Sequence, residues 1–140
     1  MEIINTDYLL RCIEALDRAN KKIQNLDSSD YDYDIYRAAC VKEFEIILEL
    51  SGKLLKKVLR AFMATHKAAD QLTFKDIFRK AALHSIISVE ESERWLKYRD
   101  NRNTTAHDYG ESFAEETLSI LHDFIKDTRS LEKSIRNFSA

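Results

Sequence analysis

The chain has 140 residues, a formal net charge of -2, no proline, and two glycines, Gly52 and Gly110. That length fits one domain spanning residues 1–140 and able to bury a core. The scarcity of turn residues removes the punctuation that strands and hairpins need, so the fold is expected to be all-α. The charge excludes bulk positive potential as a route to nucleic acid, leaving only a local basic patch.

Thr6 is placed to cap a first helix running to about Asn25, with Leu9, Cys12, Ile13, Leu16, Ala19 and Ile23 on one side. Its early Glu2, Asp7 and Arg11 argue against a secretory signal. Residues 26–33 read LDSSDYDY, an acidic connection whose Asp30 and Asp32, with Asp34, suit a helix N-terminus. The second helix, expected over about 34–65, is apolar on more than one side, which places it at the centre of a bundle or against a second subunit as well. Within it Gly52 costs about 1 kcal/mol against alanine, so it marks either a close helix approach or a tolerated loss. Cys12 and Cys40 are too few and too far apart for a metal site and read as reduced, core or half-buried thiols.

Thr73 with Asp76 starts a short third helix, and Ser88 with Glu91 a fourth that carries Val89, Trp95 and Leu96. The last helix, over about 113–137, repeats Leu118, Leu121, Phe124, Ile125, Leu131 and Ile135 at helical spacing. No stretch is long and apolar enough to cross a bilayer. A soluble, cytoplasmic protein is expected.

Between the fourth and last helices the chain reads RNTTAHDYG from Arg102 to Gly110. Its threonines and histidine are poor material for a helix interior, Gly110 allows the backbone to turn, and Ser112 with Glu115 has capping-box spacing. The stretch is expected at a helix-to-helix corner. Arg102 lies seven residues after Trp95 with Tyr98 between them, so a guanidinium is aimed along an apolar face and needs an anion, either a carboxylate, Asp100 or a glutamate elsewhere, or a ligand phosphate. Arg94, Lys97 and Arg99 add to a locally basic surface, whose two readings are a solvated face and an RNA-facing patch.

Two stretches carry a resemblance to a known family: FEIILELSGKLLKK from Phe44 to Lys57, and WLKYRDNRNTTAHDY from Trp95 to Tyr109 with its R-N-x-x-x-H-x-Y pattern. The chain resembles the HEPN superfamily, and within it the HepT-like, nucleotidyltransferase substrate-binding group. Gly52 departs from the pattern, since relatives more often carry a large aromatic residue there. The resemblance implies an antiparallel up-and-down bundle of four to five helices that forms a homodimer, with both copies of the motif facing a shared cleft. It implies metal-independent cleavage of RNA, tRNA among the candidates, in members that act as toxins. It also implies a minimal nucleotidyltransferase antitoxin that adenylylates the motif tyrosine.

Carried onto this chain, the resemblance makes Arg102 and His107 catalytic and Tyr109 the adenylylation target, with Asn103 and Asp100 in support and Arg99 and Lys97 as RNA contacts. Neither cofactor nor metal is called for, because a phosphodiester attacked by its own 2'-hydroxyl needs none. An imidazole titrating near neutrality serves as base or acid, and a guanidinium fork matches a phosphate. The plain readings remain beside these: an arginine in an ion pair, and a corner tyrosine capping a backbone group. Two other functions stay open: a non-catalytic substrate-binding subunit that docks a nucleotidyltransferase, and a helical scaffold. The chain has no Gly-Ser loop followed by paired aspartates, so it is not itself a transferase.

Overall fold

The computed structural model describes residues 3–105 and 111–139, with side chains for 3–102 and 112–138. The described residues form α1 (Asp7–Ile23), α2 (Tyr31–Leu59), a 3-10 turn (Arg60–Phe62), α3 (His66–Asp70), α4 (Phe74–Leu83), α5 (Val89–Thr105) and α6 (Glu111–Ser139). Among them there is no strand. The element beyond the four to five expected is α3, a five-residue helix that Thr65 caps by accepting from the Ala68 amide at 3.0 Å.

Local signals set several helix starts as the sequence suggests. Asp30 accepts from the Asp32 amide at 2.8 Å, so α2 begins three residues earlier than expected, at Tyr31. Thr73 caps α4 through the Asp76 amide at 3.2 Å, and the Glu91 amide donates to Ser88 Oγ at 3.0 Å while Glu91 reaches back to the Ser88 amide. Two expected caps are diverted. The Thr6 hydroxyl donates to the buried Glu132 at 2.7 Å instead of capping α1, and Asn5 takes the Asp7 amide at 2.8 Å. Glu115 lies inside α6, where its Oε1 accepts from Tyr33 at 2.8 Å and Arg37 at 3.0 Å.

The long second helix is the pillar of the bundle. It packs against α1 along one flank and against α6, α4 and α5 along others, and Phe44, Ile47, Leu48, Leu55 and Leu59 are fully buried in it. Neighbours within one chain therefore account for its breadth. Between α2, α4, α5 and α6 lies an aromatic cluster: Trp95 stacks on Phe78 at 4.8 Å, while Phe44 and Tyr98 meet Phe124 at 4.7 and 5.0 Å. Such offset and edge contacts add specificity to the area buried.

Gly52 resolves as a close approach. A Cβ there would lie 3.0 Å from Cδ2 of Phe74, so glycine lets that ring settle against the α2 backbone. Cys12 and Cys40 are both free and buried. No described helix is long and apolar enough to cross a membrane.

Candidate functional site

The candidate site grows from the C-terminal half of α5. Trp95 and Tyr98 point into the core and fix the rotation of the helix. Asp127 of α6, only 4% exposed, locks it further by accepting from Tyr98 at 2.5 Å and from the Arg94 fork at 2.8 and 2.9 Å. Burial, then the bond to Asp127, raises the Tyr98 pKa well above the ordinary phenol value, so this hydroxyl stays protonated and acts as a donor.

With that rotation set, the residues one and two turns on face α2. Arg99 pairs with Glu49 and its guanidinium lies 4.8 Å over the ring of Phe74. Arg102 meets Glu45, Nε to Oε2, at 3.7 Å and keeps about a third of its side chain exposed. The pairing of Arg99 with Glu49 and of Arg102 with Glu45 shows that α5 and α2 run antiparallel here. The anion that the sequence demands for Arg102 is thus Glu45. Asp100, the other candidate, turns outward and accepts from Lys75 at 2.5 Å. Lys97 is exposed.

Arg102 sits in the last turns of a helix that continues in regular geometry through Thr105, past the point where the threonines suggested a corner. Asn103 is described only by its helical backbone, and His107 and Tyr109 lie outside the described residues, as does Gly110. Of the named set, the structure therefore brings Arg99, Asp100 and Arg102 to one end of α5. His66, His84 and His122 belong to other parts of the surface; His84 lies 4.7 Å from the Phe62 ring. Among the described residues, no group of three or more His, Cys, Asp or Glu is arranged to hold a metal ion.

Sequence reasoning allowed Arg102 a glutamate elsewhere in the chain but named neither Glu45 nor Glu49 as a partner of the site. Both were legible only as acids that precede the lysines of α2, Glu49 with the spacing to pair with Lys53. Their four-residue spacing on one face was the available signal, but nothing local says that this face meets α5.

A family model described as nucleotidyltransferase substrate binding protein like matches residues 7–137. The chain belongs to this family. A curated relative from Haemophilus influenzae, named probable ribonuclease HepT, is 30% identical over 103 residues, covering 74% of this chain and 69% of the relative. A solved structure from the same organism superimposes with a TM-score of 0.81 at 26% identity, covering 94% of this chain and 99% of that one. It was described as revealing the fold of a substrate binding domain of a nucleotidyltransferase. A Thermus thermophilus structure at 23% identity, with a TM-score of 0.67, shares the fold over 89% of this chain and 98% of that one.

Proposed function

We propose that this member of the nucleotidyltransferase substrate-binding family is a HEPN toxin-type, metal-independent ribonuclease, silenced when a minimal nucleotidyltransferase antitoxin adenylylates Tyr109. The observation that carries the reading is the state of Arg102. Its guanidinium is held by Glu45 at 3.7 Å, longer than a good hydrogen bond, and remains about one third exposed. A partly exposed pair of this kind contributes about 0–1 kcal/mol, whereas a phosphate offers the same fork two short, charge-assisted bonds. Glu45 thus orients Arg102 without occupying it fully. The name of the Haemophilus relative, probable ribonuclease HepT, supports the same reading.

In this mechanism His107 takes the proton of a ribose 2'-hydroxyl as the oxygen attacks the adjacent phosphorus. Arg102 neutralises the charge that accumulates on the phosphoryl oxygens. The bond to the 5'-oxygen breaks, and that oxygen receives a proton, from the imidazole of the second copy in a homodimer. The products are a 2',3'-cyclic phosphate and a free 5'-hydroxyl. Asn103 and Asp100 support the site, and Lys97 with Arg99 contacts the RNA backbone. An adenylate on Tyr109 would add a phosphate to the motif and silence it by competing for the anion site of Arg102.

The test is cleavage of a labelled RNA by the parent, Arg102→Ala and His107→Ala. Both variants should keep the parent's helicity and lose cleavage, and a 2'-deoxy residue at the scissile position should block it. Cleavage of the 2'-deoxy substrate at the normal rate would end the 2'-hydroxyl mechanism. Protein co-expressed with the transferase should carry one adenylate on Tyr109 by mass spectrometry, and an unmodified tyrosine would remove the regulatory half of the reading.

A second reading is favoured by the description of the superimposed Haemophilus structure: a non-catalytic subunit that docks a nucleotidyltransferase and presents its substrate. Purified protein that binds a transferase and cuts no RNA would select it.

A further inference from the structure

One turn from Arg102, an open cleft of about 230 Å³ lies between α2, α4 and α5, and of its polar lining the proposed chemistry calls on Arg99 alone. Lys53, Lys56 and Arg99 supply three cations to its wall and Glu49 supplies one carboxylate. Arg99 and Glu49 largely answer each other. Lys53 is exposed and has no ion-pair partner among the described residues, and Lys56 reaches Asp70 only at 3.9 Å. Asp70 is already held by Arg60 at 2.9 Å, so Lys56 is not needed to tether α3. Lys53 therefore faces the concave surface without an ion-pair partner, and Lys56 with one that is distant and shared with Arg60.

Gly52 forms part of the cleft wall beside Phe74. A Cβ at that position would lie about 3 Å from the Phe74 ring, so the ring would have to shift. With glycine the ring lies low, flanked by Phe78 at 4.7 Å and by the Arg99 guanidinium. The volume is several times the roughly 30 Å³ share of one water molecule, enough for a phosphate and part of its sugar.

Position links the cleft to the reaction. Lys53 is eight residues from Glu45 along α2, about 12 Å at 1.5 Å per residue and a little under a quarter turn round the helix. Arg99 is three residues from Arg102 on α5, about 4.5 Å by the same rise. A chain of phosphates seated at Arg102 and extended along the α2–α5 seam passes over Arg99 and reaches Lys53 and Lys56.

We infer that this cleft is an anion subsite for a backbone phosphate of single-stranded RNA flanking the phosphate at Arg102, with Lys53 and Lys56 as its ligands. The inference rests on RNA being the substrate and names a part of the substrate site that the motif residues do not reach. Backbone contacts of this kind position the strand without reading its sequence and make binding salt-dependent.

The test uses a fluorescent 2'-O-methyl oligonucleotide, which the proposed reaction cannot cleave, with anisotropy measured across a salt series. Lys53→Ala/Lys56→Ala should bind roughly tenfold more weakly at low salt and flatten the log K against log salt slope by about 1.4, or 0.7 per lost contact. Its helicity and Tm should match the parent, and Lys53→Ala alone, which breaks no ion pair among the described residues, should give about half of the change in slope. Lys126→Ala/Lys133→Ala on the exposed side of α6 is the charge-matched control and should bind as the parent does. An unchanged affinity and slope in the Lys53/Lys56 variant overturns the subsite, as does an equal loss in the control or a parent that binds no oligonucleotide. RNA bound through these lysines but left uncut supports the subsite and ends the ribonuclease reading. RNA cut with unaltered KM by the double variant ends the subsite and leaves that reading intact.

Discussion

Replacing Asp127 with alanine gives a measurable test of what sets the rotation of α5. The carboxylate is buried, and Tyr98, 5% exposed, donates to it at 2.5 Å. Removing the acceptor strands the phenol hydroxyl in the aromatic core, at a cost of about 1–3 kcal/mol. Arg94 loses its bidentate partner, but its side chain is 43% exposed and water takes over much of that role, so the added loss is near 1 kcal/mol. The expected total is about 2–4 kcal/mol.

Tyr98→Phe removes the donor while keeping the ring packed on Trp95 at 5.5 Å and Phe124 at 5.0 Å, and should cost about 1 kcal/mol. Because phenylalanine has no hydroxyl to strand, the double variant should fall short of the sum of the singles by about 1–2 kcal/mol. Urea unfolding followed by fluorescence reads this directly, since Trp95 is the chain's one tryptophan and is fully buried. An Asp127→Ala loss under about 0.5 kcal/mol, or additivity within about 0.3 kcal/mol, would refute the account.

Other outcomes follow from the same contacts. Ser85 closes α4 with a φ of 59°, in the left-handed region, while the Ile86 amide bonds back to the Ala81 carbonyl at 2.9 Å. Ser85→Gly should raise stability by about 0.5–1 kcal/mol in thermal unfolding, and a loss would show that the serine side chain matters there. Burial pushes the Cys40 thiol up from 9.0 to about 11. Because its folded pKa is raised, its contribution is complete below pH 9 and is lost as pH climbs to about 11, on the order of 3 kcal/mol in all. Cys40→Ala should therefore start less stable at neutral pH but show a flatter decline in denaturant titrations between pH 9 and 11. Gly52→Phe should collide with the Phe74 ring and destabilise by about 1–3 kcal/mol, with Phe74→Ala restoring part of the loss; additive losses in urea unfolding would argue against that contact.

What the sequence determined by itself is what depends on neighbours three or four residues away. The apolar stripes, the lack of strand punctuation, the Asp30 and Thr73 caps and the Ser88–Glu91 box all act within one or two helical turns, and the fold class and most helix starts followed from them. The sequence also placed Trp95, Tyr98 and Arg102 on one stripe of α5, as the structure has them. Only the tertiary structure decided which partners those residues meet. Thr6 and Glu115 have the local chemistry of caps, yet their side chains bond across the bundle to Glu132 and to Tyr33 with Arg37. Glu45 and Glu49 become the counterions of Arg102 and Arg99, and Gly52 the seat of Phe74, because α2 packs between the helices that carry them. The physical reason is range: a helix's periodicity fixes which face is buried, while the identity of the group opposite depends on the order in which whole helices pack.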